Sequence, residues 1–284
     1  MDIVFKVLAV VLLVITVGYI GSIGYSAYQE KDTEVTTEKA KKEEKKTEKK
    51  KSALSQREQA YAGKNPKLSE QQVILEVSMN LDKEPYKDIE TIKHPESITA
   101  LVNKYYALPA DYVPQDLVSV PSSGEHGDVQ MRKEAAEAFE QLIEACRQKG
   151  LILNACSTYR SYDDQKVLFE NGKNSRGVDY ADSYWTRAGS SEHQTGLAVD
   201  IRLDNDTSDL DAVRKNPNYS WFLEQLHEYG FILRYPDDKQ KYTLIAPESW
   251  HLRYVGKETA TEIYKDQLCL EEYYALKGGF KNEE

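Results

Sequence analysis

The stretch Ser191-Glu192-His193-Gln194-Thr195-Gly196-Leu197-Ala198-Val199-Asp200 sets a histidine and an aspartate seven residues apart, with Gly196 and Ala198 between them leaving room for close backbone approach. Farther on, Glu248-Ser249-Trp250-His251 supplies a second histidine with a glutamate three residues before it. Imidazole nitrogen and carboxylate oxygen bind zinc at about 2.0–2.2 Å, and a catalytic zinc takes three protein ligands with one position open to water. The chemistry also needs a carboxylate beside that water, to take its proton and pass one to the leaving group. His193, Asp200 and His251 can fill the ligand places and Glu248 that of the base. Spacing alone is a weak signal, because a His and an Asp at this separation are common and a lone His beside a Trp is more often held by ordinary hydrogen bonds. The remaining histidines have no ligand-like company: His94 precedes a proline, His126 lies in a Gly-rich turn and His227 on a helix flank.

Helices and strands must bring these distant residues together. Arg132 to Lys149 carries Ala135, Ala138, Phe139, Leu142, Ile143 and Cys146 at helical spacing, with Gly150 as a stop. Leu151 opens a strand that runs into Ser157-Thr158-Tyr159-Arg160. Asp163 to Asn171 reads as a helix closed by Gly172, and the polar stretch from Asn171 to Ser190 as a loop over a cleft. A strand over Leu197 to Leu203, a helix over Ser220 to Tyr229, a strand over Phe231 to Tyr235, a strand or turn over Ser249 to Tyr254 and a helix over Thr259 to Tyr274, broken near Leu268, follow. Upstream, Ser52 to Leu68 reads as a frayed polar lead-in, and the alternation of Val73, Leu75, Val77, Met79 and Leu81 predicts a strand. Strands and helices do not alternate regularly, so the expected class is α+β: a small antiparallel sheet flanked by helices, with the zinc site on the sheet. Tyr159, Tyr162, Tyr180, Tyr184 and Trp185 either line a groove or pack that sheet.

The 284 residues carry a net charge of −10, and with the only lysine cluster near the N-terminus there is no basic face for nucleic acid. Val7 to Ala27 is almost wholly apolar, and about 20 such residues at 1.5 Å rise span a ~30 Å hydrocarbon core. The small residues from Ser22 to Ser26 match a cleavage site poorly, so an uncleaved anchor is preferred to a signal peptide. The acidic flank at Glu30, Asp32 and Glu34 favours a cytoplasmic N-terminus and an exported body, although the lysines from Lys39 onward pull the other way. The expected organisation is a membrane anchor over 1–29, a charged flexible tether over 30–65 and a single catalytic domain over 66–284. Cys146, Cys156 and Cys269 form neither a disulfide framework nor a CxxC pair; the first two read as core thiols, though export would permit a Cys146–Cys156 bridge.

Three motifs carry a family resemblance. Ser191 to Asp200 fits S-x-H-x-x-G-x-A-x-D, Glu248 to His251 fits E-x-W-H, and Ser157-Thr158-Tyr159-Arg160-Ser161-Tyr162 followed by Gln165 fits S-x-Y-R-S-x-x-x-Q. In this order they make the chain resemble the zinc D,D-carboxypeptidases of the VanY type, from Val102-Asn103-Lys104 through Leu270-Glu271-Glu272-Tyr273-Tyr274. The resemblance implies removal of the terminal D-alanine from peptidoglycan stem peptides, with Zn2+ on His193, Asp200 and His251 and Glu248 as general base. It further implies that Arg160 holds the substrate's terminal carboxylate, a task that suits a guanidinium fork, and that Gln165 and Ser191 add polar contacts.

An L,D-carboxypeptidase acting on tetrapeptide stems shares these motifs, since pocket shape rather than metal chemistry decides stereochemistry. A zinc-bearing wall-binding module without turnover is the rival from another class, and the presence of Glu248 argues against it. The expected setting is the cell membrane, single-pass, with a monomeric catalytic domain on the cell-wall side.

Overall fold

The computed structural model describes residues 54–124 and 129–280. The expected anchor over 1–29, the tether up to residue 53 and His126 lie outside the described residues. Among the described residues no helix is long and apolar enough to cross a membrane.

In chain order the helices are α1 (Gln56–Lys64), α2 (Glu70–Ser78), α3 (Lys133–Lys149), α4 (Tyr162–Arg176), α5 (Val178–Tyr184), α6 (Tyr219–Gln225), α7 (Gln240–Thr243), α8 (Lys257–Asp266) and α9 (Leu270–Leu276). The strands are β1 (Glu90–Thr91), β2 (Tyr106–Ala107), β3 (Leu117–Ser119), β4 (Gln130–Arg132), β5 (Leu153–Ser157), β6 (Ala198–Leu203), β7 (Phe231–Tyr235) and β8 (Glu248–Tyr254), with 3-10 turns at Glu192–Thr195, Leu210–Lys215 and Leu226–Tyr229. The central sheet has four strands in the order β5-β6-β8-β7, all antiparallel. Two small pairs, parallel β1–β2 and antiparallel β3–β4, stand apart from it. The result is a mixed α and β domain with small sheets.

Alternation along the central strands sends one set of side chains to the core and the other to the site. Val199, Ile201 and Leu203 of β6 and Leu252 and Tyr254 of β8 join Phe139 and Leu142 of α3 in one apolar cluster. Asp200 of β6 belongs to the opposite set and reaches the cleft. Cys146, Cys156 and Cys269 are buried thiols, so no Cys146–Cys156 bridge forms.

Three local expectations are corrected. The stretch from Val73 to Leu81 forms a helix over most of its length rather than a strand. A capping box at Ser69 starts α2: Ser69 Oγ accepts from the Gln72 N–H, and the Gln72 side chain accepts from the Ser69 N–H. Val73, Glu76 and Val77 then share the buried face at helical spacing. The polar lead-in likewise contains α1. Finally, α4 runs through Gly172 to Arg176, and α5 occupies part of the expected loop. A Cβ on Gly172 would lie 2.2 Å from Trp185 Cε3, so this glycine admits the indole against the helix instead of ending it.

Candidate active site

The β6–β8 ladder pairs Asp200 directly with His251, which puts both side chains on one face of the sheet. Between Leu233 and Tyr235 the β7–β8 register shifts, and Tyr235 pairs with Glu248. Such an irregularity breaks the two-residue alternation and lets Glu248 and His251 address the same cleft. His193 comes from the 3-10 turn before β6. Gly196 closes that turn at φ +68°, and a Cβ there would meet Leu117 Cδ2 at 3.0 Å and Arg132 Cγ at 3.1 Å. Both the left-handed backbone and the close approach therefore call for glycine.

The resulting geometry is tight. His193 Nε2 lies 3.3 Å from Asp200 Oδ2, and His251 Nδ1 lies 3.2 Å from Asp200 Oδ1 and 3.3 Å from Glu248 Oε2. His193 Nδ1 donates to the Thr158 carbonyl at 2.5 Å, which turns Nε2 toward Asp200. On the neighbouring segment the Arg160 N–H donates to the His193 carbonyl at 3.2 Å, tying the clamp candidate to the ligand turn. The Arg160 guanidinium donates to Gln165 Oε1 at 2.8 Å and to Ser157 Oγ at 2.9 Å. Gln165 in turn donates to the Thr186 carbonyl at 2.6 Å, so it braces Arg160 from behind. Of the five N–H donors of Arg160, those outside these two bonds are left for a ligand.

Electrostatics divides the groups. Burial, with the Arg160 charge adding to it, pushes His193 below the usual imidazole range and favours the neutral, ligating form. Burial pushes the Asp200 carboxyl up, but the adjacent His193 and His251 win and hold it well below the carboxylate range. Burial raises Glu248, an effect that His251 offsets only in part. His251 itself, though buried, is held well above the imidazole range by Asp200, Glu192 and Glu248. One carboxylate thus stays ionised while its neighbour is tuned toward accepting a proton, the division expected of a ligand and a base.

The donor set fits a zinc ion. Ligand atoms of His193, Asp200 and His251 all lie within 4.8 Å of one another. Ligands about 2.0–2.2 Å from a tetrahedral ion stand roughly 3.3–3.6 Å apart, and His193 Nε2 and His251 Nδ1 each lie near that distance from an Asp200 oxygen, at 3.3 and 3.2 Å. Asp200 Oδ1 is moreover buried without a hydrogen-bond partner among the described residues, as expected of an oxygen whose partner is a metal.

A cleft of about 850 Å³ opens over these groups, and Ser191, Arg160, Gln165 and Glu248 all line it. Tyr159, Tyr180, Tyr184 and Trp185 form part of its wall, with Tyr180 and Tyr184 stacked at 4.6 Å. Tyr162 instead packs close to Gly189. His94 pairs with exposed Glu96, and His227 stacks on Tyr264, so neither joins the site.

Residues that no motif flagged complete the surroundings. Tyr235 lines the cleft with its ring 5.0 Å from that of His251. Glu192 accepts from Arg234 and Arg253, both fully buried, and Glu271 of α9 pairs with Arg234. The sequence signal for them was slight: Arg234 stands in the otherwise apolar run Phe231–Tyr235, and Arg253 follows the E-x-W-H motif on the same strand.

Residues 128–257 match the family model of VanY, described as D-alanyl-D-alanine carboxypeptidase. The protein YodJ of Bacillus subtilis (strain 168) is 44% identical over 191 residues, which cover 66% of this chain and 70% of YodJ. Among solved structures, the LdcB LD-carboxypeptidase matches with a TM-score of 0.61 at 42% identity, covering 66% of this chain and 90% of that one. A variant of the vancomycin-resistance D,D-pentapeptidase VanY from a VanB-type cassette, in complex with Zn(II), gives a TM-score of 0.53 at 33% identity, with 62% and 97% covered.

Proposed function

Because the chain belongs to the VanY family of D-alanyl-D-alanine carboxypeptidases, we propose that it is a zinc-dependent D,D-carboxypeptidase removing the C-terminal D-alanine from peptidoglycan stem peptides. The observation that carries this reading is the convergence of His193, Asp200 and His251 within 4.8 Å, with Glu248 3.3 Å from His251. The solved VanY variant holds Zn(II), and the same ion suits this donor set.

In this reading His193, Asp200 and His251 hold the ion. Zinc, when bound, supplies Lewis-acid polarisation of the scissile carbonyl and makes water acidic enough to react near neutral pH. Glu248 takes the proton from the attacking water and returns one to the departing amine. Arg160, braced by Gln165, binds the terminal carboxylate of the peptide and so fixes which bond lies over the metal. Ser191 adds a polar contact from the cleft wall, and the Tyr180–Tyr184–Trp185 side borders the bound peptide.

Metal content and product mass on defined stem peptides, with and without chelator, test the proposal. Bound zinc and D-alanine released from the pentapeptide are expected, and hydrolysis that persists after complete zinc removal would sink the mechanism. The likeness to the LdcB LD-carboxypeptidase favours a second reading, L,D-cleavage of tetrapeptide stems. Release of D-alanine only from the tetrapeptide would establish it in place of the first. Binding of muropeptides without any product after metal reconstitution would instead identify a wall-binding module.

The same proposal places a monomeric catalytic domain on the outer side of the cell membrane, held by a single-pass anchor. Support comes from the apolar run Val7 to Ala27 and the charged stretch after it. Recovery of the full chain in the membrane fraction, with the body open to external protease, is the expected result.

A further inference from the structure

Glu192 occupies the variable position of the Ser-x-His motif, yet its side chain is fully buried. Oε1 accepts from Arg234 Nε and Arg253 Nη1, both at 2.8 Å. Oε2 has no hydrogen-bond partner among the described residues, and neither has His251 Nε2. These two unsatisfied atoms face each other at 3.7 Å. The other ring nitrogen, Nδ1, faces Asp200 and Glu248 in the cleft. An imidazole coordinates a metal through its unprotonated nitrogen, so its proton must reside on the other one, and a carboxylate placed there sets both tautomer and ring orientation.

We propose that Glu192 is a positioning residue that keeps the His251 proton on Nε2 and thereby presents Nδ1 to zinc, with Arg234 and Arg253 locking the carboxylate in place. This rests on the zinc site proposed above. The lock is held from two sides. Arg253 Nη2 donates to the carbonyls of Ile98 and Ala100 at 3.0 and 2.9 Å. Arg234 makes a two-pronged pair with Glu271 of α9, at 2.8 and 2.6 Å. Glu192 spans both arginines, so its free oxygen cannot swing away from His251 without breaking a buried ion pair, a costly move.

Glu271 provides an internal control. It neutralises the same Arg234, while its hydrogen-bond partners are Arg234 and Asn103 rather than a site histidine. Glu192→Gln and Glu271→Gln each remove one buried negative charge beside that guanidinium, and zinc affinity is read by chelator competition on the folded proteins. Glu192→Gln is expected to bind zinc roughly 10- to 100-fold more weakly, with Glu271→Gln weakened far less, because Arg253 still holds the Glu192 carboxylate. Equal weakening in both, or none in Glu192→Gln, would overturn the proposal.

Long-range 1H–15N NMR of the zinc-loaded wild type reads the tautomer directly, and decides the matter should Glu192→Gln not fold. A His251 Nε2 proton shifted far downfield, as for one held by a buried carboxylate, is expected, and an Nε2 proton at an ordinary imidazole shift would overturn the inference while leaving the zinc assignment standing. A wild-type protein that takes up no zinc would instead overturn the zinc reading itself.

Discussion

Asp200 and His251 are direct partners across the β6–β8 ladder, with Asp200 Oδ1 3.2 Å from His251 Nδ1. Two of the proposed ligands are therefore spaced by backbone hydrogen bonds of a buried sheet rather than by loops. The third, His193, is fixed by its bond to the Thr158 carbonyl. Sites carried on rigid elements hold ligand geometry more closely than sites on loops.

Separating the ligand from the base is the first test. Glu248→Ala is expected to retain zinc and lose roughly 10²–10⁴-fold in kcat, whereas His251→Ala loses the metal. Metal analysis alongside single-turnover kinetics checks this, and equal zinc loss in the two variants would count against the division of roles.

Arg160 can be tested by its substrate partner. Losing charge-assisted hydrogen bonds worth about 1.5–3 kcal/mol should lower kcat/KM of Arg160→Ala about 10- to 100-fold on a peptide with a free carboxylate. On the matching C-terminal amide, wild type and variant should converge. Arg160→Lys should recover little, since an ammonium lacks the planar fork.

Zinc uptake should depend on pH, with a sign set by His251. In the metal-free protein Asp200, Glu192 and Glu248 outweigh burial and hold this imidazole protonated to well above its ordinary range. Zinc can take Nδ1 only once that proton has left, so affinity rises with pH up to the raised pKa and falls below it. For one proton the slope is about tenfold per pH unit. Titration calorimetry in buffers of different ionisation enthalpy should detect the released proton, and pH-independent affinity between mildly acidic and neutral conditions would refute the account.

Gly196→Ala should destabilise the fold next to the ligand turn. A left-handed conformation costs a residue with a Cβ about 1–2 kcal/mol, and Leu117 and Arg132 would also have to move. At about 2–4 °C per kcal/mol for a domain of this size, thermal unfolding should shift down by several degrees. An unchanged melting temperature would contradict the crowding at this turn.

The legible parts of the molecule were those whose signals are local. α3 shows its apolar face, Ala135, Phe139, Leu142 and Cys146, and its Gly150 stop directly, and the residue types of His193, Asp200, Glu248 and His251 announced possible zinc ligands and a base. α2 misled because its apolar residues satisfy both periods over a short span, and the deciding Ser69–Gln72 cap lies just outside the alternation. Gly172 misled because a glycine in a helix can mark an end or a contact, and only the position of Trp185 tells which. Glu192, Arg234, Arg253 and Glu271 were hard to read for a different reason. Charges far apart in the chain look solvent-exposed until the sheet places them together in the interior.

The Arg234–Glu271 pair lies across the edge of the family match, which stops at residue 257. A chain cut at that edge would keep every motif residue and still expose a wound. Arg234 would lose one of its two carboxylate partners in a fully buried setting, a defect on the order of 3–5 kcal/mol. The smallest autonomous unit of this protein is thus longer than its recognisable motifs, and α9 belongs to the folded body that supports the site.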